Sequence, residues 1–111
     1  MIINIKALSV NKAWKGRRFR TPEYNKYIKD MMMILPNIKT IFDGKLELEI
    51  TFGLSNTAAD IDNPLKCFID CLQKKYGFDD KMIYRLIVNK DIVKRGKEYI
   101  DFNIIKLNNG V

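Results

Sequence analysis

A helix bounded by Asn63 and Gly77 imposes the strongest constraint on how this chain can fold. Asn63 is a favourable N-cap, Pro64 suits the first helical position, and Gly77 is a typical residue just past a helix end. Apolar residues recur along the segment at steps of three and four, namely Leu65, Phe68, Ile69, Leu72 and Tyr76. This spacing predicts one buried stripe, so the helix should pack against a core along that stripe.

Acidic residues flank this helix at both ends. Asp60 and Asp62 precede its start, while Asp79 and Asp80 follow its end, in a chain that has 20 Lys and Arg against 13 Asp and Glu. Lys66 falls in the first helical turn, close to the first acidic pair. Carboxylates that are brought together repel one another unless a cation neutralises them. The pattern therefore predicts a divalent-cation site, and Mg²⁺ is the favoured ion because it prefers oxygen ligands.

A lysine beside such a site could hold a scissile phosphate or stabilise negative charge that develops during reaction, which suits phosphodiester hydrolysis. The competing interpretation is that the acids only cap helices and turns, which explains one or two of them but not the whole set with Lys66. An EF-hand is excluded because Pro64 and Lys66 occupy would-be ligand positions. A nucleotide-sugar transferase with an Asp-x-Asp motif would need a larger domain for its two substrates.

The spacing of these residues resembles the RusA family of Holliday junction resolvases. The shared pattern is Asp-x-Asp-Asn-x-x-Lys, an Asp four residues later, a Gly, an Asp-Asp pair and a Lys ten residues past that pair. It falls here on Asp60, Asp62, Asn63, Lys66, Asp70, Gly77, Asp79, Asp80 and Lys90. The N-terminal Ser-Val-Asn-Lys-Ala-Trp segment is similar too. One departure is Pro64, directly after the Asn.

The resemblance implies a small homodimeric enzyme that binds four-way DNA junctions and makes paired, symmetric nicks with Mg²⁺, for which Mn²⁺ could substitute. The catalytic acids of the family match Asp60, Asp62 and Asp80, and its catalytic lysine matches Lys66. Asp79 is a further candidate metal ligand. A dimer also follows from the substrate, because two symmetric cuts are most simply made by a two-fold pair of sites.

The segment from residue 9 to residue 22 is strongly basic and contains Trp14 and Phe19. As a DNA-binding loop it would place its cations on phosphates and a polar or aromatic side chain against the backbone or an exposed base. The candidate nucleic-acid-binding residues are Asn11, Lys12, Trp14, Lys15, Arg17, Arg18, Arg20 and Lys90. The competing interpretation is a solvated basic loop with Trp14 packed in the core. The net charge of +7 favours polyanions without fixing a function.

The remaining patterns complete the predicted fold. Strands are expected at residues 2–8, 45–54, 82–89 and 98–107, and a second helix from Pro22, capped by Thr21, to about Leu35. The last two strands are predicted to form a hairpin around the basic turn at residues 94–97. The expected fold class is α+β, a single RusA-like domain over residues 1–111 with helices on one face of a mixed sheet in the order β-α-β-α-β-β.

Two further patterns bound the class of protein. Cys67 and Cys71 do not have the spacing of a zinc site and the chain has no His, so free thiols and a reducing cytoplasmic location are expected. No apolar run suits a membrane span and no secretory signal is expected. The alternative function is a non-catalytic protein that binds branched DNA through its basic loops, with binding that depends steeply on salt and not on the acids.

Overall fold

The computed structural model describes residues 1–15 and 19–107, apart from the side chains of Val10, Asn11, Trp14, Lys15 and Phe19. In chain order the elements are β1 (Ile2–Ile3), α1 (Val10–Ala13), β2 (Trp14–Lys15), β3 (Phe19–Arg20), α2 (Pro22–Ile34), β4 (Leu46–Leu54), α3 (Leu65–Tyr76), a 3₁₀ turn (Asp80–Met82), β5 (Ile83–Ile92) and β6 (Tyr99–Lys106). The short β2 and β3 pair with each other and the remaining strands form the main sheet.

The main sheet is mixed and has the strand order β1-β6-β4-β5. Its centre is β4, which pairs in parallel with β5 and antiparallel with β6. The alternating side chains of β4 that face the helices are all buried: Leu46, Leu48, Ile50 and Phe52. The rings of Phe52 and Phe102 both contact the ring of Phe68 on α3. The predicted α+β class, with helices over one face of a mixed sheet, is confirmed.

The predicted hairpin between the last two strands is wrong. Phe52 of β4 lies between Lys90 of β5 on one side and Ile100 of β6 on the other. Strands β5 and β6 are therefore not hydrogen-bonded to each other. The basic turn does form, with Lys97 N donating to Lys94 O at 2.9 Å. Upstream of it, Val93 N donates to Leu54 O at 2.8 Å, which carries the chain past the end of β4. This route keeps the most buried strand in the centre of the sheet, where both its edges are paired.

The N-terminal strand is much shorter than the predicted residues 2–8. Only Ile2 and Ile3 pair with β6, opposite Asp101 and Ile100. The chain then leaves the sheet, while Ile5 and Ala7 still pack against the core. The alternation in this segment therefore reflects one-sided packing of an extended chain and not a continuous ladder of hydrogen bonds.

Helix α2 follows its prediction closely. Thr21 is the N-cap and its Oγ1 accepts a hydrogen bond from Tyr24 N at 3.2 Å. Five apolar residues at helical spacing are all buried: Tyr24, Tyr27, Ile28, Met31 and Leu35. Of the three consecutive methionines only Met31 is fully buried, and the Met33 side chain is 78% exposed. Pro36 then follows the C-cap, since proline cannot continue the helix.

Helix α3 begins one residue later than predicted. Pro64 occupies the N-cap and no side chain caps the helix, so the prediction of an Asn63 cap is wrong. Residues 61–64 instead form turns, in which Leu65 N donates to Asp62 O at 3.1 Å. The predicted stop is confirmed, because Gly77 has the left-handed φ of 75° that glycine adopts without strain.

The buried stripe of α3 is rotated relative to its prediction. Cys67, Phe68, Cys71 and Leu72 are fully buried, whereas Leu65, Ile69 and Tyr76 are only partly so. The cause is that α3 contacts α1 and α2 in addition to the sheet, which its Phe68 ring touches through Phe52 and Phe102. Cys67 and Cys71 are free thiols, as predicted, and their burial raises the pKa of both.

Candidate active site

The loop after β4 presents two of the predicted catalytic acids, Asp60 and Asp62, at the protein surface. Asn63 N donates to Asp60 O at 3.3 Å and closes the turn that contains both. The two side chains are exposed, and in the described part of the chain neither carboxylate accepts a hydrogen bond. Lys66 follows one helical turn later, so the acidic turn and the predicted catalytic lysine adjoin along the chain.

A cation from the neighbouring strand holds this loop. Lys90 Nζ donates to Ala59 O at 2.9 Å and to Thr57 O at 3.3 Å. Asn56 Oδ1 also accepts from Ala58 N at 2.9 Å, which tightens the same loop. Lys90, a predicted DNA contact, therefore has backbone partners directly before Asp60, although its side chain is still exposed.

A groove of about 380 Å³ lies between α3 and β5 and gathers three further residues of the predicted pattern, Lys66, Asp70 and Asp80. Lys66 Nζ lies 3.7 Å from Asp70 Oδ1, and the Lys66 side chain is 64% exposed. An exposed pair at this distance adds little stability, so its main effect is on where the lysine points. Apolar residues complete the groove, among them Ile69, Ile83 and Leu86.

Asp70 is the most connected acid of the set. Tyr24 Oη donates to Asp70 Oδ2 at 3.1 Å, and Gln73 Nε2 approaches Asp70 Oδ1 at 3.4 Å. Burial, and then the charge of Asp70, raise the pKa of Tyr24 far above its ordinary range, so the hydroxyl keeps its proton and stays a donor. Arg20 lies over the Tyr24 ring at 5.4 Å from its centroid. The basic segment is thus linked through Tyr24 to the groove.

The second acidic pair divides into two roles. Asp79 caps the 3₁₀ turn, with its Oδ1 accepting from Lys81 N at 3.0 Å, and this hydrogen bond lowers the pKa of Asp79. The capping interpretation therefore applies to Asp79. Asp80 N donates to Gln73 Oε1 at 2.8 Å, which fixes the backbone of Asp80 beside α3 while its exposed side chain lines the groove.

The basic segment is anchored at its base by Thr21. Thr21 Oγ1 donates to Lys12 O at 2.6 Å, and Thr21 N donates to Ala13 O at 2.9 Å. Lys12 and Arg20, two of the predicted DNA contacts, have exposed side chains. Arg17 and Arg18, and the side chains of Asn11, Trp14 and Lys15, lie outside the described part of the structure.

A comparison with protein families shows where these residues belong. The family model described as endodeoxyribonuclease RusA matches residues 7–101, which include the whole pattern from Asp60 to Lys90. The chain belongs to the RusA family. A search of curated proteins found no match. No helix within the described residues is long and apolar enough to cross a membrane.

The RusA family implies a divalent ion, and the carboxylates of the two acidic pairs are its candidate ligands. Among the residues that the structure describes, no three Asp, Glu or Cys side chains lie close enough together to hold one ion. The predicted metal set of Asp60, Asp62, Asp79 and Asp80 is therefore not gathered into one shell. Mg²⁺ usually keeps several waters and takes only one or two carboxylates plus substrate phosphate. The Asp60 and Asp62 carboxylates are exposed and accept no hydrogen bond from the described residues, so this pair fits that smaller requirement.

Sequence reasoning missed the contacts of two residues at this candidate site, Tyr24 and Gln73. Tyr24 is one of the buried residues of α2, but its hydroxyl also reaches Asp70 on α3. Gln73 joins Asp70 to the backbone of Asp80. The spacing of Asp70 and Gln73, three residues apart on one helix, was a signal for their contact. The contact between Tyr24 and Asp70 had no local signal because the two helices are distant in sequence.

Proposed function

We propose that this chain is a Mg²⁺-dependent, structure-selective endodeoxyribonuclease that resolves four-way DNA junctions by paired, symmetric nicks, in DNA recombination and repair. The observation that carries the proposal is the exposed turn with Asp60 and Asp62, directly before Lys66, in a chain of the RusA family. The two exposed carboxylates could hold a metal ion while Lys66, which follows them in the sequence, binds the phosphate.

In this proposal Asp60 and Asp62 would hold Mg²⁺. When bound, the ion supplies Lewis-acid activation of the scissile phosphate. The loop itself contributes fixed positions for both acids, since Lys90 donates to the carbonyls of Thr57 and Ala59 directly before them. Because this loop is already ordered before the substrate binds, part of the entropic cost of positioning Asp60 and Asp62 against the substrate is avoided.

Lys66 and Asp80 act on the substrate from the adjoining groove. Lys66 contacts the scissile phosphate and stabilises the charge that develops there, while Asp70, at 3.7 Å, orients it. The exposed Asp80 carboxylate accepts a hydrogen bond from the attacking water. This hydrogen bond directs a lone pair of the water oxygen toward phosphorus. Asp79 is a poorer candidate for either role because it already caps Lys81 N.

The basic segment binds the DNA backbone. Lys12 and Arg20 are exposed on it, and Lys15, Arg17 and Arg18 add further charge in the sequence, with Asn11 and Trp14 as polar and aromatic contacts. Each lysine or arginine that contacts a phosphate releases counterions from the DNA, so the affinity should fall as the salt concentration rises. Two copies of the chain, related by a two-fold axis, place two sites on the junction and make the paired cuts.

The testing experiment uses synthetic four-way junctions labelled on each strand in turn, beside a linear duplex of the same arms. We expect symmetric nicks in the junction with Mg²⁺ or Mn²⁺, little cleavage of duplex, and binding without cleavage in Ca²⁺. Light scattering of the complex should give two protein chains per junction. Binding that is steeply dependent on salt, with no cleavage in Mg²⁺ or Mn²⁺, would instead support the non-catalytic DNA-binding function.

A further inference from the structure

A cavity of about 700 Å³ opens beside the acidic turn and is separate from the groove that holds Lys66. Ala59, Asn63 and Pro64, the neighbours of Asp60 and Asp62 in sequence, lie in its wall. Residues 5–9, one face of α2 and the loop after β4 form the rest of it. Ligand pockets in proteins usually measure about 300–1,000 Å³. The cavity therefore has room for a substrate group next to the proposed scissile phosphate.

The charges around this cavity nearly cancel. Six charged residues line it: Lys6, Lys12, Lys26, Glu23, Asp30 and Glu98. Lys26 Nζ pairs with Asp30 Oδ2 at 2.6 Å. Glu98 accepts hydrogen bonds from Ser55 Oγ and Gly96 N, both at 2.8 Å, so its charge is also partly compensated. A phosphate would gain little electrostatic free energy from such a lining. A neutral group would lose little electrostatic free energy on entering it.

The walls combine apolar area with a few polar side chains. Ile5, Leu8, Leu54, Pro64 and Tyr27 supply apolar surface. The lining also contains uncharged polar residues, namely Ser9, Ser55, Asn56 and Asn63. Asn56 uses its carbonyl oxygen on Ala58 N, which leaves its amide N–H groups to donate elsewhere. A flat heterocycle with apolar faces and a polar edge matches this combination.

We propose that this cavity binds an unpaired nucleobase, taken out of the stack from the nucleotide beside the scissile phosphate. The inference rests on the proposed function and adds to it a site that touches the base instead of the phosphate. Its position follows from the acidic turn, because the same loop that carries Asp60 and Asp62 forms the cavity wall. A base pair at the exchange point ends an arm of the junction, so extruding one of its bases costs less than extruding a base from within a duplex once the arms are held apart.

The test measures the affinity for junctions in Ca²⁺, with single abasic nucleotides moved in turn across the exchange point. We expect one position where loss of the base weakens wild-type binding about tenfold, the size of a lost base contact. Ala7→Trp fills the cavity from the segment at residues 5–9, away from the acidic turn, and should bind the intact junction as weakly as wild type binds the abasic one. Removing the base should then have no further effect on this variant.

Controls separate this inference from loss of folding and from the proposed function itself. Ile105→Trp, which adds the same ring on the helix-free face of the sheet, should keep the full dependence on the base. Thermal unfolding checks each variant, and the smaller Ala7→Leu should give an intermediate dependence if Ala7→Trp does not fold. A wild type that binds and cuts junctions, but with no sensitive position or with equal sensitivity in Ala7→Trp, overturns this inference alone. A wild type that neither binds nor cuts junctions overturns both.

Discussion

Lys90 Nζ donates a hydrogen bond to Ala59 O at 2.9 Å, one residue before Asp60. Lys90 lies on β5 opposite Phe52 of β4, and Ala59 belongs to the loop that follows β4. The parallel pairing of these two strands thus brings a cation under the backbone that leads into the acidic turn. Its charge is directed to main-chain carbonyls, so we assign Lys90 a positioning role for Asp60 and Asp62.

This role predicts that Lys90→Met slows junction cleavage in Mg²⁺ by about tenfold, since small displacements of catalytic groups have effects of this size or larger. Binding in Ca²⁺ and its salt dependence should change little. Single-turnover cleavage and salt-titrated binding measure the two effects separately. Lys39→Met, in the segment between α2 and β4, is the matched control and should cleave like wild type. A lower salt slope with unchanged cleavage would make Lys90 a phosphate contact instead.

The hydrogen bond from Tyr24 to Asp70 predicts a loss of stability in Tyr24→Phe. Removing a donor to a charged acceptor in this partly buried position should lower the free energy of unfolding by about 1.5 kcal/mol. Urea denaturation measures it. Tyr84→Phe, at a side chain that is 65% exposed, should change stability by less than about 0.5 kcal/mol. Equal values for the two variants would show that the contact is not formed in solution.

The fully buried Cys71 predicts a loss of stability at high pH. Burial raises the pKa of its thiol from 9.0 to about 12, so the unfolded chain loses this proton before the folded chain does. The free energy of unfolding should therefore fall as pH rises from about 9 to about 12. Cys71→Ala should reduce that slope by up to about 1.4 kcal/mol per pH unit, because it removes one titrating group. Val88→Ala should keep the wild-type slope, and an unchanged slope in Cys71→Ala would contradict the assignment.

The ring of Phe68 joins α3 to the sheet and predicts the largest single loss of stability. Its centroid lies 5.9 Å from that of Phe52 and 5.5 Å from that of Phe102. Phe68→Ala should lower the free energy of unfolding by about 3–5 kcal/mol. Tyr84→Ala, which removes an exposed ring, should cost less than about 1 kcal/mol by the same denaturant measurement. A Phe68→Ala effect as small as that would mean that α3 is not packed on the sheet as described.

The elements that local patterns specify were predictable from the sequence. The alternation in β4 and the Thr21 and Pro22 start of α2 have direct physical causes in a few neighbouring residues. Strand pairing is a different problem, because two strands that follow each other favour a hairpin unless a third competes. Here Leu46, Leu48, Ile50 and Phe52 make β4 the most buried strand, and it lies between β5 and β6.

The same distinction applies to the site. The motif placed Asp60, Asp62 and Lys66 next to one another, because they share a turn and the first residues of a helix. It did not indicate that Asp79 would cap Lys81 N while Asp80 lines a groove with Lys66. It also did not indicate that Lys90 would bind backbone carbonyls. Those contacts depend on how β5 and α3 meet, which no single segment determines.

The most direct measurement of the central claim is the single-turnover cleavage rate of a four-way junction in Mg²⁺ for Asp62→Asn, beside wild type and Asp43→Asn. Asp43 pairs with Lys106 at 2.9 Å and is an acid outside the proposed site. We expect Asp62→Asn to bind the junction at least as tightly as wild type but to cleave it at least about a hundredfold more slowly. Asp43→Asn should cleave normally. Cleavage by Asp62→Asn at the wild-type rate would contradict the assignment of the acidic turn as the catalytic centre.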